Sequence, residues 1–273
     1  MNIIAEKYCL LEKTVKGQSG DVYKAKDMDK EKIVALKLFH IHLKDNIYLS
    51  HIKREAEYVL SLNLEHRNIV KILNFEHHED YVFLVMEYIT GNMIKDYIKQ
   101  SPSKIRDILN FTIQICDGLD YFHSLNLVYR NIRPEKIFIN EDLNVKLLSY
   151  GLNLARPGAG KSSRMGMGSF GTGGSQYIPP EYIEGKNFTH LSDLYSLGVT
   201  LYELLTDKLP FPDDEESFFP QLGGKPAPLT EYNRGISGEL EGIVLSLLER
   251  KPEKRLQSVK ELKERINLFA EKY

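Results

Sequence analysis

The side chains with chemical capacity in this chain fall into a few groups. Lys37 ends a short apolar run, Val34-Ala35-Leu36-Lys37, and Arg133 and Lys136 follow closely behind Tyr129-Arg130-Asn131. Ammonium and guanidinium groups bind phosphate oxygens through charge-assisted hydrogen bonds, so cations of this kind are the raw material of an anion site. Side chains able to move protons or hold metals are scarcer around them. Asn131 is a neutral amide with no useful basicity near neutral pH. Ser149 offers a hydroxyl, a poor anchor for Mg²⁺, and the ammonium of Lys136 repels a dication. His40 with His42 and His77 with His78 can be written as ligand pairs, but thiols and carboxylate triads do not accompany them, and strand alternation and a turn account for both. Cys9 and Cys116 are far apart and outside any C-x-x-C pattern, which argues against a disulfide framework or zinc cluster and fits a reducing compartment.

The elements that must position these residues change character along the chain. Runs at Tyr8 to Lys13, Val22 to Lys26 and Ile33 to Phe39 alternate β-branched or aromatic residues with polar ones, which predicts a small antiparallel sheet. Ile52, Ala56, Val59 and Leu60 recur at helical spacing between Leu49 and Leu62, and strand-like runs return at Ile69 to Phe75 and Tyr81 to Tyr88. One helix therefore interrupts five strands. After Gly91 the pattern becomes helical over Ile105 to Ser124, Leu191 to Leu205, Gly238 to Leu248 and Ser258 to Tyr273, with short strands at Ile137 to Ile139 and Val145 to Leu148. Gly, Ser and Met dominate Gly158 to Gly174, predicting a mobile segment. The acidic run Asp213 to Glu216 reads as a solvated turn before a short helix broken by Pro220. With 273 residues and 42% hydrophobic content the chain can bury a large core, and a formal charge of −2 gives no global field for nucleic acid or an acidic membrane surface. No apolar run approaches a membrane span, so direct membrane insertion is not expected and a cytoplasmic location is.

Several segments, taken in order, resemble the protein kinase family. Val34-Ala35-Leu36-Lys37 is similar to the strand motif that carries the ATP-phosphate lysine. Val15-Lys16-Gly17-Gln18-Ser19-Gly20-Asp21-Val22 looks like the glycine-rich loop with valine at its first glycine position. Pro179-Pro180-Glu181 stands where kinases have Ala-Pro-Glu. Ser192-Asp193-Leu194-Tyr195-Ser196-Leu197-Gly198 resembles the central helix of the helical lobe. Lys251-Pro252-Glu253-Lys254-Arg255 resembles the segment whose arginine pairs with that glutamate. The joint match covers residues 8 to 270 and is closest to serine/threonine kinases. It implies an α+β, two-lobed protein-kinase-like fold: a small five-stranded antiparallel N-lobe with one helix (1–86), a hinge (87–91) and a larger, mainly α-helical C-lobe (92–273), forming a single kinase-like domain.

By the same resemblance Lys37 reaches nucleotide phosphates and pairs with a glutamate on the interrupting helix. Glu55 is favoured because it puts apolar Val59 one turn later on the same face; Glu57 is the alternative. Val22, Ala35, gatekeeper Met86 and Phe138 line an adenine-sized slot, Val15, Gly17 and Gly20 bind nucleotide as part of the glycine-rich loop, and the backbone of Glu87 and Tyr88 offers hinge hydrogen bonds. The catalytic positions depart from the family. Asn131 stands for the catalytic aspartate, Lys136 for the amide that holds a second magnesium, and Ser149-Tyr150-Gly151 for Asp-Phe-Gly. The expectation that follows is a pseudokinase without an intact catalytic set or functional magnesium site, acting as an allosteric or scaffolding module toward a protein partner or another domain of the same polypeptide. ATP binds weakly or without magnesium in that reading, with Arg133 and Lys136 standing in for the metal's charge. The alternative is an atypical nucleotide-dependent transferase or weak serine/threonine kinase that uses Lys37, Glu55, Arg133 and Lys136 as its electrostatic set. Glu181 and Arg255 are expected to form a buried pair, and Asp193 to hold the backbone near Tyr129.

Overall fold

The computed structural model describes residues 3–16, 20–40, 46–78, 81–130, 132–148, 175–211 and 219–272. Contacts divide it into two compact units, the first running to Thr90 and the second beginning at Gly91. Gly17, Asn131, Ser149 and Tyr150 lie outside the described residues, as do the stretch Gly158 to Gly174 and the acidic run Asp213 to Glu216.

The first unit is an antiparallel sheet with one helix. Its strands are β1 (Ile3–Ile4), β2 (Tyr8–Val15), β3 (Gly20–Asp27), β4 (Lys32–Phe39), β5 (Ile72–His78) and β6 (Tyr81–Glu87), in the spatial order β1-β2-β3-β4-β6-β5. These are the five expected strands plus a two-residue edge strand, β1, too short to carry a periodic signal. Ile69 and Val70, expected within the fourth of those strands, precede β5 and are buried. Alternation along β4 sends Val34 and Leu36 into a core with Tyr8, Ala25, Phe83 and Val85, which leaves Ala35 and Lys37 on the opposite face. Helix α1 (Asn46–Ser61) buries Ile52, Ala56 and Val59 and packs against β5. Gly20 is fixed by close approach: a Cβ there would lie 2.3 Å from the Leu38 carbonyl oxygen across the β3–β4 ladder.

The second unit is mainly helical: α2 (Ile94–Gln100), α3 (Lys104–Ser124), α4 (Pro180–Ile183), α5 (His190–Thr206), α6 (Leu229–Tyr232), α7 (Gly238–Leu247) and α8 (Val259–Ala270). A small sheet, β7 (Gly91–Met93), β8 (Ile137–Asn140) and β9 (Val145–Leu147), is paired in that order. At its centre α5 is buried from Ser192 through Leu205. Its first turn is closed by a reciprocal cap, in which Thr189 Oγ1 accepts from Leu191 N and Ser192 Oγ accepts from Thr189 N. A helix that is apolar all round forms a core, so the two carboxylates it carries inward, Asp193 and Glu203, must find partners. Both do, and they organise the site. Among the described residues, no helix is long and apolar enough to cross a membrane.

Candidate active site

In the first unit the expected nucleotide residues collect on β3, β4 and β6. Lys37 is buried, its Cα partners being Val22 on β3 and Leu84 on β6, and its ammonium lies 4.9 Å from the centre of the Phe39 ring. Two residues earlier, Ala35 is paired with Lys24 and with Met86, which is buried. Val22 is half-buried, while Val15, its partner at the end of β2, is 39% exposed. Glu87 is not simply a hinge donor. Its backbone N–H donates to the Lys71 carbonyl at 3.0 Å, and its carboxylate accepts from the Lys71 N–H at 3.0 Å. The Tyr88 ring lies 5.0 Å from the Lys24 ammonium. On α1, Glu55 is half-buried, whereas Glu57 is exposed and bridges Lys53 at 3.9 Å one turn away. Helical geometry thus turns Glu57 outward and Glu55 toward the protein.

In the second unit, the backbone of Tyr129 and Arg130 is held from α5. The fully buried Asp193 carboxylate accepts from Tyr129 N at 2.8 Å and Arg130 N at 2.7 Å, and His123 Nε2 lies 2.9 Å from its Oδ2. Arg130 adopts φ 67°, a left-handed conformation that a non-glycine residue keeps only when its surroundings fix it. The two bonds to Asp193 do so. Arg133 caps a tight turn, Pro134–Lys136, in which Lys136 N donates to Arg133 O at 2.8 Å, and its guanidinium lies 3.7 Å from Glu135. Phe138 is half-buried on β8, opposite Met93 on β7.

Lys136 is a strongly perturbed cation. Burial pushes its ammonium down to about 8, the neighbouring Arg133 charge acts in the same direction, and Glu135 opposes them. Between that value and the ordinary lysine value of 10.5, the unfolded chain holds more protons than the folded one, so this group makes stability rise with pH across that window. Lys136→Met is therefore expected to raise the melting temperature near neutral pH, with the gain shrinking as pH climbs toward 10.5. Thermal denaturation over a pH series checks this, and a gain that grows with pH would contradict it.

One buried network was not read from the sequence. Glu203, the second inward carboxylate of α5, accepts from Lys95 Nζ at 2.5 Å and from the Tyr177 hydroxyl. Burial, then the Glu203 charge, drives the Tyr177 phenol far above its ordinary range, so it stays a neutral donor. Lys95 and Glu203 are 108 residues apart, a separation at which no local pattern can pair them. The available signal was Glu203 itself, a carboxylate in the middle of an apolar helical run.

A protein kinase domain model matches residues 8–266 of the chain. The chain belongs to the protein kinase family. This kinase domain is similar to serine/threonine-protein kinase A of Synechocystis, with 32% identity over 94% of the chain and 52% of the relative. It is also similar to serine/threonine-protein kinase PrkC of Bacillus subtilis, with 29% identity over 95% of the chain and 40% of the relative. Serine/threonine-protein kinase PknB of Mycobacterium tuberculosis matches at 28% identity over 95% of the chain and 42% of the relative. The kinase domain therefore spans about two fifths to one half of these relatives' length.

These relatives overturn the expectation of a non-catalytic pseudokinase, and of a scaffold in place of an enzyme. Proteins named as serine/threonine kinases match the kinase domain over nearly its whole length, and nothing in the described residues shows that catalysis is lost. The expectation treated the residue types at Asn131, Lys136 and Ser149 as decisive, yet Asn131 and Ser149 lie outside the described residues. Family membership fits ATP as the nucleotide and gives no support to dispensing with magnesium. As to fit, no three His, Cys, Asp or Glu side chains converge among the described residues, and Lys136 and Arg133 have the wrong charge to ligate Mg²⁺. No step below is routed through a metal.

Proposed function

We propose that this kinase domain is an ATP-dependent serine/threonine kinase of atypical catalytic composition. The supporting observation is the match over 94–95% of the chain to proteins named serine/threonine kinases. The chemistry tolerates the departures better than a residue count suggests. Phosphoryl transfer to a hydroxyl depends chiefly on positioning and on neutralising charge, with comparatively little covalent work for the protein. The bond from the terminal phosphorus to its bridging oxygen breaks, the acceptor oxygen–phosphorus bond forms, and ADP departs. The hydroxyl proton leaves late, to a phosphoryl oxygen or to water. An aspartate at position 131 would assist that last transfer, an effect of about 10²- to 10⁴-fold. Asparagine can accept a hydrogen bond from the hydroxyl without taking its proton, so the reaction is slowed while its electrostatic part persists.

In this reading Lys37, supported by Glu55, binds phosphate in the first unit, with Val15, Gly17, Gly20, Val22, Ala35, Met86, Glu87 and Tyr88 around the base. Arg133, Lys136 and Phe138 lie in the second unit. Cys9 and Cys116, both buried free thiols, support placing the reaction in the cytoplasm. The acceptor is a serine- or threonine-bearing protein, either a separate partner or another part of the same polypeptide.

Incubation of the purified chain with γ-labelled ATP and protein acceptors, across a magnesium and manganese series, tests the reading. Label on serine or threonine is expected, with Lys37→Met reducing it by about 10²-fold or more, since a preorganised charge of this kind is worth that much. Absence of incorporation at every metal concentration, with the fold verified by circular dichroism, would refute it.

A further inference from the structure

In the first unit, side chains tie together the two ends of the glycine-rich segment. Asp21 lies between Gly20 and Val22, and Lys13, 8 residues earlier in the chain, stands just ahead of Val15. The Lys13 ammonium donates to Asp21 Oδ2 at 2.6 Å, and Nε2 of His40, just past the end of β4, lies 3.3 Å from the same oxygen. The tie falls at a break in the backbone pairing. The β2–β3 ladder shifts register between Lys13 and Val15, which disrupts the strand bonds locally, and the ion pair spans that shift. Thr14 Oγ1 adds a bond to the Val22 carbonyl at 3.1 Å.

Asp21 has room for a second cation. Its side chain is 11% exposed and its Oδ1 is buried without a hydrogen-bond donor among the described residues, so Lys13 alone leaves the carboxylate half satisfied. Lys13 is the main influence holding the Asp21 carboxyl below its ordinary value, and His40 acts in the same direction, against burial. Among the described residues, the titratable groups around the carboxylate are Lys13 on β2, Tyr23 on β3, whose ring lies 5.3 Å from the Lys13 ammonium, and His40 after β4. Alternation sets Tyr23 opposite Leu36 of the core and Val22 opposite Lys37, so Asp21 acts from the face away from Lys37. From there it sets the stem that carries Gly20 and Val22, without touching a nucleotide bound on the other face. We propose, on the strength of the kinase reading above, that Asp21 is a positioning residue for nucleotide binding, tying the stem of the glycine-rich segment through Lys13 and, once the imidazole is protonated, through His40 as well. Histidine is the side chain whose charge changes between about pH 5 and 8, so the second tie is present in acid and lost as pH rises. A stem already held in its bound form leaves less ordering for the ligand to bring about.

The test titrates the purified chain with trinitrophenyl-ATP, read by fluorescence at about pH 6 and about pH 8, on either side of the ordinary histidine transition. Comparing chains at one pH cancels the nucleotide's own ionisation. At the lower pH the wild-type chain is expected to bind roughly threefold more tightly than His40→Gln, the worth of one partly exposed ion pair, and at the higher pH the two should agree. Lys13→Met leaves His40 as the remaining cation, so its loss of affinity should be larger at the higher pH. Asp21→Asn should weaken binding at both values and make a further His40→Gln change silent. His40 is 48% exposed, so its replacement spares the core. A ratio of wild type to His40→Gln that is the same at both pH values, in chains that bind nucleotide, overturns the proposal and leaves the kinase reading standing. A pH-dependent ratio without any label transfer to serine or threonine sustains the role of Asp21 and removes the proposed activity instead. Absence of nucleotide binding by the wild-type chain overturns both.

Discussion

Asn131→Asp combined with Ser149→Asp is expected to raise the rate of serine phosphorylation by about 10²- to 10⁴-fold over the wild-type chain. The first change supplies a carboxylate able to receive the acceptor's proton. The second supplies an anionic oxygen that attracts a divalent cation where the natural side chain is a neutral hydroxyl. The effects of groups that act together are not additive, so the single variants should each gain less than their share of the double. The backbone that leads into position 131 needs no rebuilding, because Tyr129 and Arg130 are already held at 2.8 Å and 2.7 Å by Asp193. Initial rates with γ-labelled ATP at saturating metal decide the matter. Equal rates for the wild-type and double-variant chains would show that proton removal does not limit the reaction.

Arg255→Ala is expected to destabilise the protein by about 3–5 kcal/mol, the cost of leaving one member of a buried ion pair without its partner. Arg255 and Glu181 are both buried and joined by two parallel bonds, Nη1 to Oε1 at 2.8 Å and Nη2 to Oε2 at 2.7 Å. The same guanidinium also donates to the carbonyls of Glu249 at 2.7 Å, Leu191 at 2.9 Å and Arg250 at 3.1 Å. Its loss leaves the Glu181 carboxylate without its counter-charge, the Ser192 hydroxyl still donating to Oε1 at 2.8 Å, and removes one donor from each of three carbonyls. Since a whole domain is stable by only about 5–15 kcal/mol, most of the margin goes with one side chain. Urea denaturation monitored by circular dichroism reads the loss directly. Arg255→Met paired with Glu181→Leu should recover much of it, because two apolar groups leave no charge to desolvate. If the double variant is as unstable as Arg255→Ala, packing rather than electrostatics is responsible.

What could be read from the chain depended on the range of the signal. The alternation Val34, Leu36 against Ala35, Lys37 fixed both faces of β4 from adjacent residues, and the structure buries the first pair in the sheet core. The Glu181–Arg255 pair spans 74 residues but was legible because each partner sits in a recognisable segment. Helix α2 was not anticipated: it begins after Met93, which provides no side-chain cap, and is only seven residues long. The Lys95–Glu203–Tyr177 network was invisible for a related reason, since each member is unremarkable in its own neighbourhood and meets the others only after folding. The catalytic substitutions were plain as residue types, but their inferred consequence went too far. A residue's identity fixes its basicity or charge, whereas a turnover rate also depends on how much of the barrier that property ever carried.

Asp193 accepts bonds from the backbone of Tyr129 and Arg130 from the first turn of a helix buried from Ser192 through Leu205, with His123 of a second helix closing on the same carboxylate. The course of the loop is thereby dictated by main-chain donors, which every amino acid except proline possesses. Side chains farther along that loop can be exchanged over evolutionary time at little conformational cost, so new reactivity at position 131 is a matter of a codon and not of a new fold.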